Sequence, residues 1–243
     1  MERLSTQGLR WEANTLVKSL RLRLACRTQG YNLLREYGYP LPSKRTLQRH
    51  IEHAKFRPGL LTDILEALKI KVSLMKPEER HAVLLLDGMQ ITSGLVYDHS
   101  CCDVLGTPTL PLSDGSLPDD SLAIHGLVFM LGGLSTRWKQ TIGYHLTGNS
   151  IHAASFKAQV VNIITACESI GLNIHVVVSD MGSANQALWK LFGISVGKHS
   201  RPTTSCPHPC DPQRKLWFMA DVPHLLKNLR NHLTKGQLIY LPE

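Results

Sequence analysis

His175-Val-Val-Val-Ser-Asp-Met-Gly-Ser-Ala-Asn-Gln186 is the stretch that decides the fold. An apolar, β-branched run bounded by polar residues reads as a buried strand, and Gly182-Ser-Ala-Asn185 then opens a helix. Asp180 therefore stands at the carboxyl end of a strand. The same shape occurs earlier in His81-Ala-Val-Leu-Leu-Leu-Asp-Gly-Met-Gln-Ile91, a second buried run that closes on Asp87.

Working outward, charge divides the chain in two. Of 243 residues, 43% are hydrophobic, enough for a sizeable core, and the net charge is +8. Residues 1–80 hold 16 Lys and Arg against 8 Asp and Glu, whereas residues 81–243 hold 11 of each. All of the excess positive charge is N-terminal, as expected where a phosphate-contacting module adjoins a neutral one. A basic face that only keeps the protein soluble is the plainer alternative. No apolar run approaches the roughly 18 residues of a membrane span, and no secretion signal opens the chain. Six irregularly spaced cysteines give no disulfide framework, in keeping with an intracellular, reducing setting.

Residues 1–76 read as a helical module. Leu16, Leu20 and Leu24 share one face of a helix with Asn14 as its expected N-cap. A short second helix fits 29–37 and stops at Gly38. Ser43 caps a third, with Lys44 and Arg45 in its first turn and Leu47, Ile51 and Ala54 along an apolar edge opposite Arg49 and His53. This pattern is that of a helix-turn-helix unit, which would present Lys44, Arg45 and Arg49 to DNA. A fourth helix over 60–75 carries Leu61, Ile64, Leu65, Leu68, Val72 and Met75 at helical spacing, a stripe that suits a core or a homo-oligomer interface. Lys76-Pro-Glu-Glu-Arg80 reads as a linker.

Residues 81–221 read as a second domain. After the Asp87 strand come a strand near 95–97, a polar loop over 98–121 with a hairpin return near 103–105, and strands over 125–131 and 138–146. Asp114, Asp119 and Asp120 read as solvated loop acids. A helix over 150–170 ends at Gly171. The Asp180 strand, a helix over 184–192, a strand over 215–221 and a helix from Pro223 complete the order. Leaving out the short strand near 95–97, acids ending the first and fourth strands, set side by side, are the mark of a ribonuclease H-like domain of mixed sheet and flanking helices. The fold class is α/β, a helical module followed by that domain.

Carboxylates so placed have a chemical reason. Attack on a phosphodiester needs an activated oxygen nucleophile, a stabilised phosphorus and a stabilised leaving oxygen. Divalent cations held by hard carboxylate oxygens supply all three. Asp87 and Asp180 are the candidate catalytic and metal-binding residues; the competing reading is that each is a turn former or helix cap.

Several runs carry a family resemblance: Leu-Leu-Leu-Asp-Gly-Met (84–89), Gly-Leu-Val-Tyr-Asp (94–98), Val-Val-Ser-Asp-Met-Gly-Ser-Ala-Asn-Gln (177–186) and Asp-Val-Pro-His-Leu-Leu-Lys-Asn-Leu-Arg-Asn (221–231). With Gly-Tyr-Asn-Leu-Leu-Arg-Glu-Tyr-Gly-Tyr-Pro-Leu-Pro-Ser (30–43), they resemble the P element transposase family. The resemblance implies a ribonuclease H-like domain that cuts and rejoins DNA with Mg²⁺. It implies Asp87 and Asp180 as the first two catalytic acids, DNA and further copies of the chain as partners, and the nucleus as the site of action. It also implies a GTP-binding insertion, to which residues 222–243 would be the approach, so that GTP is expected only with the whole insertion.

The chain departs from the family pattern at three points. Gly88 stands where relatives usually carry Glu. No zinc-coordinating THAP pattern precedes the helical module. The third family acid, a Glu beyond the insertion, has no counterpart here, since Glu168 precedes the Asp180 strand. Two alternatives follow: a catalytically inactive DNA-binding regulator, and an unrelated nuclease of the same fold.

Weaker signals complete the reading. Cys206-Pro-His-Pro-Cys210, with His199 nearby, reads as a Pro-rich loop rather than a zinc site. Gly193-Ile-Ser-Val-Gly-Lys-His199 has the wrong spacing for a phosphate loop. Asp221 reads as the cap of the following helix, with a place near the acid pair as the alternative.

Overall fold

The computed structural model describes residues 10–52, 56–99, 102–112, 116–117, 121–196 and 201–235. Helix α1 (Ala13–Glu36) is two helices joined at Arg27, which has φ +60°. Asn14 lies inside the first of them and is not its cap; the flanking residue is Glu12. The buried residues of α1 are Ser19 and Tyr31 rather than the leucine stripe, and the Tyr31 hydroxyl donates to the Pro42 carbonyl at 2.9 Å. That bond straps the turn at Gly38 (φ +86°) against the helix. Helix α2 (Lys44–Glu52) starts as expected: the Thr46 N–H donates to Ser43 Oγ at 3.1 Å and Leu47 is fully buried. Ala54 and His53 lie outside the described residues.

The main sheet has seven strands. In chain order they are β1 (Gly59–Leu60), β2 (His81–Gln90), β5 (His125–Gly133), β6 (Lys139–Thr147), β7 (Asn173–Ser179), β8 (Ser205–His208) and β9 (Asp211–Ala220). Across the sheet the order is β1-β6-β5-β2-β7-β9-β8, with β2, β7 and β9 mutually parallel neighbours. The intervening strands β3 (Val96–Asp98) and β4 (Asp103–Leu105) form a separate two-stranded hairpin, as the sequence led us to expect.

One face of the sheet is the core. Leu84 and Leu86 of β2, Phe129 and Leu131 of β5, Val177 of β7 and Phe218 of β9 pack against helices α4 (Ala153–Ser169) and α5 (Ser183–Leu191) through Phe156, Val160, Ile164, Leu188 and Trp189. Helix α3 (Thr62–Ser73) buries Leu65, Leu68 and Val72 in this same core. Its stripe is therefore core, and β1, which precedes it, is hydrogen-bonded to β6. The expected linker at 76–80 is a short 3-10 helix, Pro77–Arg80.

Two short strands were not foreseen. Cys206-Pro-His-Pro-Cys210 is not a loop: its first half lies in β8, which turns directly into β9. The register shifts between Pro207 and His208, and β8 is the sheet edge, where a residue lacking an N–H is tolerated. The proposed loop acids Asp114, Asp119 and Asp120, together with His199, lie outside the described residues.

Candidate active site

Strand register sets the acids in a row. The last paired positions of β2 and β7 are Leu85 and Val178, so Asp87 and Asp180 stand level two residues further on. Ser179 pairs with Ala220 of β9, so Asp221 stands level with Asp180 on its other side. The Asp221 N–H donates to the Ser179 carbonyl at 2.8 Å, which fixes that level. Neighbouring strands lie about 4.8 Å apart. The first strand does not close on Asp87 as expected, because β5 goes on pairing with β2 as far as Gln90. Asp87, from within β2, and Asp180 and Asp221, just past the ends of β7 and β9, thus line one groove of ≈ 450 Å³ together with Lys139 and His224.

Their surroundings differ. Asp87 is exposed, and the space beside the following Gly88 is open, so a side chain there would meet nothing within 4 Å. Asp180 is half-buried and held: its Oδ1 accepts the Gly182 N–H at 2.9 Å and Asn185 Nδ2 at 2.5 Å. These bonds tie the carboxylate to the start of α5 and direct Oδ2 elsewhere. Asp180 is in this respect the turn former of the competing reading as well as a groove acid.

Asp221 occupies the N-cap position of helix α6 (Val222–Thr234), yet its side chain makes no capping bond. Instead Asp221 Oδ2 pairs with Nδ1 of His224. The cap expected from sequence is thus replaced by an ion pair inside the groove. The His224 pKa is raised, first by this hydrogen bond and then by the charges of Asp221, Asp180 and Asp87. All three acids act on one imidazole, which agrees with their sharing a groove.

Two adjacent carboxylates offer the hard oxygen donors a divalent cation prefers, and Mg²⁺ is commonly held by only one or two carboxylates while keeping several waters. Among the described residues no three His, Cys, Asp or Glu side chains form a closed metal cage. Asp87 and Asp180 therefore fit an open, largely hydrated cation.

Comparison with known proteins gives the family. Residues 56–193, more than half of the chain, match the family model for the TNP-like RNase H N-terminal domain. The chain belongs to the P element transposase family. It is 28% identical over 210 residues to the Transposable element P transposase of Drosophila melanogaster, a match covering 86% of the chain and 24% of that protein. It superposes on the Drosophila P element transposase strand transfer complex with a TM-score of 0.61 and 26% identity, over 94% of this chain and 46% of that one. The chain thus spans about a quarter of the curated relative. The ribonuclease H-like α/β fold read from the strand order is the fold of this transposase-family chain.

The remaining candidates lie elsewhere. Lys44, Arg45 and Arg49 are exposed on α2. Glu168 sits at the other end of the sheet, where its carboxylate takes Arg214 in two bonds of 2.8 and 3.1 Å and the Ile174 N–H at 2.7 Å. It is a structural acid. Cys206 is half-buried and Cys210 exposed, and Cys210 Sγ contacts Thr165 Oγ1 at 3.6 Å. Sequence reasoning did not find Asn185 as the residue that holds Asp180; its position five residues after the acid, on the first turn of a helix, was the available signal. No helix among the described residues is long and apolar enough to cross a membrane.

Proposed function

We propose that this chain contributes the core of a transposase active site, with Asp87 and Asp180 as the acids that hold Mg²⁺ for DNA phosphodiester cleavage and strand transfer. The observation that carries the reading is the register that levels two carboxylates on adjacent parallel strands in one open groove. When bound, the cation supplies charge stabilisation and an activated oxygen nucleophile. The chain's own work is positional. Gly182 and Asn185 fix one oxygen of Asp180, β2 carries Asp87 to the same level, and the Asp221–His224 pair places a proton-bearing imidazole at the groove wall. A bound strand would be aligned between these groups before any bond breaks.

DNA is the partner of this reading and the nucleus its setting. Helices α1 and α2, within residues 1–76, supply the attraction, since all the excess positive charge lies in residues 1–80 and Lys44, Arg45 and Arg49 cluster on one short exposed helix. Residues 81–221 would do the chemistry, with 222–243 leading to the nucleotide-binding insertion and no GTP site assigned within this chain. The sheet core shared by α3 joins the two parts physically.

The test is duplex binding by the whole chain as a function of salt. Each phosphate contacted contributes about −0.9 to the log–log slope. Replacing Lys44, Arg45 and Arg49 together by Ala should flatten that slope by roughly two to three units. An unchanged slope and affinity would remove α2 from the DNA interface.

A further inference from the structure

The apolar stripe of α3 lies in the core and leaves no face for a second copy of the chain. Helix α6 presents one. None of its residues is buried, although Val222, Leu225, Leu226, Leu229 and Leu233 are each between 43% and 61% exposed. A solitary exposed leucine needs no explanation, but five large apolar side chains on one helix of 13 residues form a patch. Their order is specific. Val222, Leu226, Leu229 and Leu233 follow one another at steps of four, three and four, the alternation that makes the apolar seam between two paired helices. Leu225 widens that seam on one side.

Charge selects the partner. No Asp or Glu occurs from Val222 to Lys235, while Lys227, Arg230, His232 and Lys235 make the body and the far end of the helix basic. At the near end stands Asp221, in one groove with Asp87 and Asp180. The helix therefore starts acidic and finishes basic. A second copy laid antiparallel answers both ends at once: Lys235 comes level with Asp221 of the second copy, and two-fold symmetry repeats the contact. Val222 then lies opposite Leu233, and Leu226 opposite Leu229. Arg230, at the edge of the seam, meets Pro223 rather than a like charge, and Lys227 stands on the outer face of the pair. A parallel pair would instead set acid beside acid and base beside base. It would also press the two sheets together, because only Asp221 separates β9 from α6.

We propose that α6 is the surface through which two copies of this chain associate, as an antiparallel helix pair. The pairing sets the basic end of one α6 beside the acid groove of the other copy. It does not depend on what those acids bind. A seam of two heptads buries little area, so the dimer is weak and reversible.

The experiment is sedimentation equilibrium of the whole chain over a wide range of protein concentration. The wild type should pass from monomer to dimer as concentration rises. Leu226→Glu combined with Leu229→Glu should raise the dissociation constant about tenfold or more, as expected for charges placed at the centre of a seam. Both side chains are exposed, so this variant should melt with the wild type. Orientation is read with Val222→Cys and Leu233→Cys proteins, the wild type serving as the blank for its own cysteines. Oxidation of the mixture should give a disulfide-linked dimer that neither protein forms alone. A monomer at every concentration, association indifferent to the double variant, or linkage in Val222→Cys alone would each overturn the proposal. A chain that stays monomeric and pellets with phosphatidylglycerol vesicles would assign the stripe to a lipid surface and overturn it as well.

Discussion

The two ends of the sheet use the same residue types to opposite ends. At the amino ends of β7 and β9, Glu168 is mostly buried, is bonded twice by Arg214, accepts a backbone N–H, and lies 3.4 Å from the enclosed His208. His81 and His175 close the cluster through a 2.7 Å contact between β2 and β7. At the carboxyl ends, Asp87 stands exposed, Asp180 is held by one oxygen, and Asp221 has a solvent-facing histidine. The first acid is neutralised to hold strands together. The second set is gathered without enough fixed positive charge to neutralise it, an arrangement that costs stability unless a cation or a substrate answers it.

Breaking the amino end should give the largest effect. Glu168→Ala leaves Arg214 without its partner and strips the Ile174 N–H, and should cost roughly 2–4 kcal/mol in denaturant unfolding. Asp87→Asn, at the open end, should stay within about 0.5 kcal/mol. Similar losses for both would erase the contrast.

Acid sharpens the same contrast with opposite signs. The pKa values of His175 and His208 are lowered, first by burial, as is that of His145 within β6. The unfolded chain therefore takes up protons at these rings more readily. Their contribution is full above the ordinary histidine pKa of about 6.5 and falls as pH drops below it. His224, raised by Asp221, contributes fully below that pKa and loses its contribution as pH rises through the raised value. Melting temperature should therefore fall between pH 7.5 and 5.5 in the wild type, and fall slightly more in Asp221→Asn. A flat profile would mean that the buried rings do not set the pH dependence.

Smaller effects should follow from the holders of Asp180. Asn185→Ala removes the 2.5 Å bond to Oδ1 and should weaken Mn²⁺ affinity about tenfold, the lower range for an outer-shell partner. Gly182→Ala should do less. A Cβ there comes to 3.1 Å from Oδ1, so the carboxylate must shift by a few tenths of an ångström. Calorimetric titration of both variants gives the order; an Mn²⁺ affinity unchanged in Asn185→Ala would remove that residue from the site.

The legible part of the molecule was the part whose pattern is local. β2, β7 and α4 are long apolar runs, so Asp87 and Asp180 could be placed on neighbouring strands and the strand order then gave the fold, although β2 runs on past Asp87 to Gln90 because β5 pairs with it. β1 and β8 are two and four residues at sheet edges, rich in Gly or Pro, and exist because a neighbouring strand pairs with them. The buried Tyr31 bonds Pro42, eleven residues away in sequence, a contact no local pattern announces. The α3 stripe had correct periodicity but no indication of which surface it meets. Asp221 was read as a cap because Pro follows at the second helical position; its side chain instead found His224 three residues on, a pairing the sequence spacing permits but does not select.

If Asp87 and Asp180 share one divalent cation, the cation should stabilise the fold only while both carboxylates are present. The direct test is the melting temperature of wild type, Asp87→Asn and Asp180→Asn with and without Mn²⁺. At about 100 times the dissociation constant a single site adds about 2.7 kcal/mol, a rise of a few degrees for a chain of this size. That rise is expected in the wild type and should be lost in both variants. An equal rise in all three proteins would contradict it.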